Sequence, residues 1–405
     1  MTLLALRHPT GGEPLAADTP HSLAGGGDRF PVCAGVPYLR AGRDELRRAA
    51  LERLDADDAD GGLAVLLADQ DPFAPLPPPT VDDCRRLVAD VRAGRCGLRE
   101  AMGRLNFGPV ADYFAVRCCT PTFLSGLGLL SQCGGGLPVV EVACGIGQLL
   151  REPQRRGQSV AGIDLVFSKL WLARTFVLGD GVPLACADLA GRAVEPTTAV
   201  TVLCHDAFYF VPDKPAGAAA LKALCGAGGR VLVGHAHIAG GTNGGVAGNL
   251  LSAVGYAELF PGCVAFDDAA FTHGHLTGEV VEPEYPEAID GVEAVSLAWR
   301  AAGDHPAGVP DRYAVPHDRA GSLVLNPLLA AEGDRLVPRW PSPRFAAEYA
   351  AADYLTAEPP PAELFDGHLL ADEWFLAESG RSPAAAAQAV RLARRRVLVP
   401  AGDVL

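Results

Sequence analysis

The chain has 405 residues, of which 49% are hydrophobic and 20% charged, with a formal net charge of -14. This composition excludes a disordered chain, and the acidic balance excludes a broad basic face for DNA or RNA. No stretch approaches the roughly 18 uninterrupted apolar residues of a membrane span, and "MTLLALRHPTGGEPL" lacks the basic and apolar regions of a secretory signal.

Eleven cysteines are scattered without a CxxC pair, several inside apolar runs, as at Cys144, Cys186 and Cys204. They read as reduced, buried thiols of a cytoplasmic protein. The sequence does not set the oligomeric state.

Residues 1–72 are punctuated by Gly and Pro around short apolar pieces such as "RFPVCAGVPYL", the pattern of a small β-rich module. The cluster "PFAPLPPP" then reads as a stiff, extended linker. Thr80 with Asp83 three positions on opens an amphipathic helix, "TVDDCRRLVADVRAG", that stops at Gly94. Further helix is expected in "GLREAMGRL" and "ADYFAVRCC", so residues 80–130 form a helical segment.

Within residues 131–335 short β-branched runs alternate with helical ones, the signature of βαβ units. Strands are expected at "PVVEVA", "SVAGID", "PLACAD", "AVTVLCH" and "RVLVGHA", with helices at "GQLLREPQRRG", "FSKLWLARTFVL" and "AGAAALKALCGA". Their continuous apolarity predicts an α/β fold with an open, doubly wound, mostly parallel sheet covered by helices on both faces. Beyond residue 238 the pattern turns irregular to about 290, and a last pair of strands is expected at "VEAVSLAWRA" and "AGSLVLNPLLA". Residues 336–405 alternate helical patterns with Pro breaks, a helical C-terminal extension.

In such sheets ligands sit beyond the carboxyl ends of the strands. Glu141 to Gly147, Asp164, Asp188, His205 with Asp206, and His235 with His237 lie there. Gly145 and Gly147 allow a tight turn and close backbone approach to a ligand, and Glu141 can orient the turn or pair with a cation. Asp164 can accept both hydroxyls of a ribose. A dinucleotide site requires a third glycine at position 150, where Leu150 stands, so a nucleotide-dependent oxidoreductase is disfavoured.

The segments "VVEVACGIG", "GIDLVFSKLWLAR", "GVPLACADLA", "VTVLCHDAFYFVPD" and "GGRVLVGHAHI" together resemble the class I, Rossmann-like S-adenosylmethionine-dependent methyltransferases over residues 137–238. The resemblance implies S-adenosyl-L-methionine as cofactor. Glu141, Ala143, Cys144, Gly145 and Gly147 would hold its methionine and ribose portions, and Asp164 with Leu165 its ribose. Asp188 would meet the adenine amino group, Leu189 would pack on the ring, and His205 with Asp206 would border the methionyl end. Family members more often carry Asp at position 141 and Gly at 143. The helix containing Tyr113 precedes the core as lid helices do in members acting on small molecules, and Tyr209 joins Tyr113 as a pocket candidate. No Asn/Asp-Pro-Pro-Tyr/Phe motif follows the fourth strand, which favours a small-molecule acceptor over a nucleic acid or a protein nitrogen.

"LRHPTGGEPL" with "DRFPVCAGVPYL" resembles, more weakly, a zinc-ribbon module that precedes some methyltransferase domains. His8 and Thr10 occupy its first two cysteine positions and the second pair is missing, so a degenerate module without metal is expected.

His235 and His237 are candidate bases for methyl transfer, with backbone-bonding loop histidines as the structural alternative. His273 and His275 in "FTHGHL" raise the idea of a four-histidine metal site, but no metal is expected. The expected function is methyl transfer by in-line displacement to a small organic acceptor such as a secondary metabolite or sugar intermediate. The alternative outside catalysis is an inactive, methyltransferase-like binding or scaffold protein.

Overall fold

A computed structural model describes residues 3–70, 74, 76–241, 246–301, 312–313, 323–332, 335–349 and 392–404. Its centre is a seven-stranded sheet of β1 (Val139–Val142), β2 (Val160–Asp164), β3 (Leu184–Cys186), β4 (Thr201–His205), β5 (Arg230–His237), β6 (Val264–Asp267) and β7 (Ala294–Arg300). The spatial order is β3-β2-β1-β4-β5-β7-β6, and β7 alone runs opposite to the other six strands. Every residue of β1 to β5 is buried, as a parallel sheet covered on both faces requires. The chain winds outward from β1 to β3, then returns to β4 on the other side of β1. The crevice between the ends of β1 and β4 is therefore the switch point where ligands bind in such sheets. This is a Rossmann-like methyltransferase fold.

The helices that frame the sheet are α1 (Val110–Val116), α2 (Pro121–Cys133), α3 (Gln148–Arg155), α4 (Phe167–Leu172), α5 (Lys214–Leu224) and α6 (Asp268–Thr277). Alternate side chains of one strand feed two different cores. Val139 packs with apolar residues of α2, α3, α4 and α6, whereas Val140 and Val142 pack with Ala218 and Leu221 of α5 and with Tyr256. The period of two along β1 thus divides the helices between the faces. The helix expected over "FSKLWLARTFVL" begins as α4 and ends in a π-helical turn, Ala173–Leu178.

The last pair of strands differs from the sequence expectation. "VEAVSLAWRA" is β7, but Leu323–Leu325 of "AGSLVLNPLLA" pairs with Leu398–Pro400 outside the central sheet. The partner of β7 is β6, inside the stretch read as irregular, with Ala265 opposite Leu297. With four edge residues, of which only Ala265 and Phe266 are buried, β6 gives no periodic signal.

At the N-terminus Leu4–Leu6 pairs with Val194–Pro196, and Ala16–Thr19, Ser22–Gly25, Asp28–Cys33 and Val36–Pro37 form an antiparallel meander. Just beyond it Tyr38 bridges Cys186, and Leu39 N donates to Cys186 O at 2.7 Å, so this segment covers the β3 edge of the main sheet. The Thr80 cap is formed, with Asp83 N donating to Thr80 Oγ1 at 3.1 Å, and Gly94 takes the left-handed φ of 68° just after Val81–Arg92. All eleven cysteines are free thiols. The Pro-rich linker falls partly, and the C-terminal extension largely, outside the described residues.

Residues near the C-terminus lock α3, the helix that follows the Gly turn of β1. Arg151 and Arg155 of α3 both bond the Asp403 carboxylate, at 2.6 and 2.7 Å, and all three side chains are largely buried. Removing one member of a buried ion network strands the others without water or partner. Asp403→Ala is expected to lower the unfolding free energy by about 3 kcal/mol in urea titrations.

Candidate active site

The turn after β1 is built on left-handed backbone. Ala143, Gly145 and Gly147 have φ of 55°, 56° and 76°. A side chain on Gly147 would collide with Leu178, and a Cβ on Gly145 would come within 3.0 Å of the Phe114 ring on α1. Ala143 is the departure from glycine: it accepts a conformation that costs an L-residue about 1–2 kcal/mol. Its methyl is exposed at the mouth of the turn, so it does not crowd the core. Cys144 is buried and extends the ladder, its N–H donating to Ile163 O at 3.1 Å.

Asp164 at the end of β2 is 5% exposed and ties two strand ends together. Its carboxylate accepts Gly145 N–H and Val166 N–H, each at 2.8 Å. The residue read from sequence as a ribose acceptor thus first fixes the shape of the turn. Leu165 is half-buried beside it. Asp188 beyond β3 is exposed and caps its own turn through Ala190 N–H at 2.9 Å, while Leu189 packs against the α5 side of the core.

Leu150 has a packing reason. It is fully buried on α3, and a Cβ on Gly162 of β2 would lie 3.3 Å from its Cδ1. The close helix–strand approach that dinucleotide sites achieve with a glycine on the helix is reached here by a glycine on the strand.

Glu141 is 4% exposed, and its Oε2 is buried without a hydrogen-bond partner. Burial pushes its pKa up to about 8; nearby Arg117 opposes this and Asp164 adds to it. The carboxyl group is therefore neutral in much of the protein at pH 7, at the base of the glycine turn. An orphaned acidic oxygen and a glycine turn that a Cβ would fill fit the cationic, backbone-hugging methionine portion of S-adenosylmethionine.

Across the switch point a second polar cluster crowns β4 and β5. Asp206, with φ 54°, accepts Tyr209 Oη–H at 2.9 Å, the Tyr113 hydroxyl and Arg117 Nη1 at 3.1 Å. His235 sits at a register break between Val233 and Ala236, with φ 47°. Its backbone N–H and its Nδ1 both donate to Asp268, at 3.0 and 2.7 Å, and Ser296 Oγ donates to the same carboxylate at 2.6 Å. Burial by itself would lower the His235 pKa, but the Asp268 carboxylate outweighs it and pushes it up to about 9. His237 goes the other way: burial and the charge on His235 bring it down to about 4. Its ring stands edge-on to His235 and Tyr209, at centroid distances of 4.7 and 4.9 Å, and its buried Nδ1 has no partner. Both histidines thus fall on one side, as alternation predicts. Of the seven non-glycine residues with positive φ among the described residues, three lie at the ends of β1, β4 and β5 (Ala143, Asp206 and His235), and strain of this kind concentrates at functional sites.

His205 turns toward α2. Its Nε2 donates to Thr122 O of α2 at 2.5 Å, and burial lowers its pKa to about 4, which keeps the ring neutral. His273 is exposed beside Glu279 at 3.3 Å, whereas His275 is buried on α6. The two HxH pairs form no four-histidine group among the described residues. His8 is engaged on both nitrogens: Gly11 N–H donates to Nδ1 at 3.0 Å, and Nε2 pairs with Asp28 at 2.9 Å.

Sequence reading missed Arg117, Phe114, Asp268 and Ser296. Arg117 lies between Asp206 and Glu141, and α1 covers both halves, with Phe114 on Gly145 and Tyr113 on Asp206. Asp268 stands in "FDDAAF", where Asp267 caps α6 through Ala269 N–H at 3.1 Å. Nothing in that acidic pair signals that its second member turns inward.

Among known proteins, the methyltransferase domain family matches residues 140–233. The ubiquinone biosynthesis O-methyltransferase of Aeromonas salmonicida (strain A449) is 31% identical over 101 residues, 24% of this chain and 42% of that protein. The chain thus spans less than half the length of this curated relative. Solved structures with similarity include a Haemonchus contortus phosphoethanolamine N-methyltransferase 2 with S-adenosylhomocysteine, at 14% identity and TM-score 0.35 over 51% of this chain and 61% of that one. Another is an amino pentose methyltransferase of Micromonospora echinaspora, at 24% identity and TM-score 0.22 over 36% and 54%. The strand order, the turn at Glu141 to Gly147 and the matched family agree, and residues 140–233 are a methyltransferase domain of the class I, S-adenosylmethionine-dependent type.

Proposed function

We propose that this protein transfers the methyl group of S-adenosylmethionine to a hydroxyl of a small organic acceptor. The observation that carries the reading is the junction at the switch point. A glycine turn with an orphaned Glu141 oxygen lies on one side and the Asp206, His235 and His237 cluster on the other, with Arg117 between them. The name of the curated relative, an O-methyltransferase, supports an oxygen acceptor.

When bound, the sulfonium supplies an electrophilic methyl whose bonding pair to carbon leaves with sulfur. The protein's part is positioning and proton management. Glu141 and the turn hold the amino-acid end, Asp164 keeps the turn in shape at the place where the ribose would lie, and Asp188 and Leu189 border the base. His205, bonded to Thr122, supports the end of β4 from below. Of the two histidines, His237 has the unpartnered nitrogen, so the acceptor proton goes to His237 Nδ1 as oxygen forms its bond to the methyl carbon. The imidazolium of His235, held by Asp268, stabilises the forming oxyanion. Tyr113, Phe114 and α1 close the site against water. Phe114 lies on Gly145, so an entering ligand shares or displaces that ring. The net charge of -14 and the buried setting of the cluster support a small acceptor.

Isothermal titration should show micromolar affinity for S-adenosylhomocysteine and none for NAD; NAD binding, or binding of neither, would remove this reading in favour of an oxidoreductase or a scaffold. Because Glu141 must ionise to pair with a cation and holds its proton up to about pH 8, affinity should rise between pH 7 and pH 9. That rise, measured against Glu141→Gln, should be absent in the variant. Asp164→Ala should lower cofactor affinity several-fold and also cost about 1–3 kcal/mol of stability, since two buried amides lose their acceptor. Unchanged affinity in a folded variant would clear Asp164 of a ligand role. His237→Ala should keep cofactor affinity and lower kcat by about 100-fold or more.

A further inference from the structure

The cluster at the ends of β4 and β5 is arranged more tightly than proton transfer requires. Asp206, His235 and His237 each offer one ligand atom, and these atoms all lie within 4.8 Å of one another. Both imidazoles are more than nine-tenths buried. Each is also fixed from behind. His235 gives Nδ1 to Asp268 at 2.7 Å, so its ligand atom is Nε2, which releases to solvent the proton of the metal-free imidazolium when a metal ion takes its place, and Asp268 is itself held by Ser296. His237 bonds the Glu293 backbone, and its Nδ1 is buried with no partner. Asp206 Oδ2 takes both Tyr113 and Arg117, whereas Oδ1 takes only Tyr209, so Oδ1 has a lone pair to give.

We propose that Asp206, His235 and His237 form a two-histidine, one-carboxylate site for a divalent first-row transition-metal ion. Two imidazoles select Zn2+, Fe2+ or Co2+ over Mg2+ and Ca2+, which take oxygen ligands. Ligating histidines characteristically give their other ring nitrogen to a carboxylate or a backbone carbonyl, and Asp268 and Glu293 stand in those two places. The four-histidine set considered from the sequence is replaced by one in which the third ligand comes from β4. Three protein ligands leave a position for an exogenous oxygen. A metal-held acceptor hydroxyl would lose its proton more readily, and His237 would act through the metal rather than as a direct base. That last role rests on the methyl-transfer reading; metal binding itself does not.

The test uses the 405-residue chain without a tag, stripped with a chelator and dialysed. Co2+ and Zn2+ are titrated by calorimetry, with the visible spectrum of the Co2+ form recorded to distinguish imidazole and carboxylate ligation from thiolate ligation. One saturable site per chain is expected, without a thiolate band. His237→Ala and the nearly isosteric Asp206→Asn should abolish it, Asp268→Asn should weaken it by about 10–100-fold, and exposed His273→Ala should leave it unchanged. Retained S-adenosylhomocysteine binding and near-UV circular dichroism show that each variant is folded. A wild-type protein with no saturable site overturns the proposal and leaves His237 as the direct base. Binding that survives both His237→Ala and Asp206→Asn, or that carries a thiolate spectrum, overturns it as well. Metal binding at this site in a protein that ignores S-adenosylhomocysteine would instead uphold the site and remove the methyl-transfer reading.

Discussion

Two backbone amides, of Gly145 and Val166, end on one buried carboxylate, and the geometry of the cofactor half follows from that. Without Asp164 the turn after β1 has no reason to hold three alternating left-handed positions at Ala143, Gly145 and Gly147. The bonds are short and out of water, so they are worth more than the same contacts on a surface. Once the turn is fixed, its glycine faces are defined by neighbours: Leu178 at Gly147 and Phe114 at Gly145. The floor of the site is thereby shaped by packing before any ligand enters.

The cluster at the ends of β4 and β5 depends on a different constraint, the pairing of buried charge. Asp206 and Asp268 are both drawn into the protein at the sheet's end, and each is compensated, one by Arg117 and two tyrosines, the other by His235 and Ser296. The pairing divides the two neighbouring histidines by role. Asp268 holds His235 as a cation, and that cation together with burial keeps His237 neutral with a free nitrogen. One carboxylate more or less at this position would exchange or erase those roles. Arg117, between Asp206 and Glu141, couples this balance to the cofactor half, and α1 covers both.

The five parallel strands and their helices were legible because each strand is continuously apolar and each helix carries a capped or amphipathic pattern. The strand-end polar residues were legible for the same reason: a lone Asp or His closing an apolar run stands out. β6 was not legible, since four edge residues carry no periodicity, and its absence from the reading misassigned the partner of β7. Asp268 begins the helix right after that strand, so the partner of His235 was hidden along with it. His205 was read as part of the methionyl border because it ends β4; its ring direction, toward Thr122, follows from packing against α2 rather than from its position in the chain.

The sequence by itself determined the winding of the sheet, the glycine turn and the set of polar residues at the strand ends, because these depend on local periodicity and on residues that tolerate positive φ. Only the tertiary structure decided which of those residues are spent inside the protein and which face a ligand. Asp164 is committed to two amides and His235 to a carboxylate 33 positions away, while Glu141 and His237 each keep a buried atom unpaired. Hydrogen-bond pairing and burial between distant segments set that division, and no local pattern in the chain encodes it.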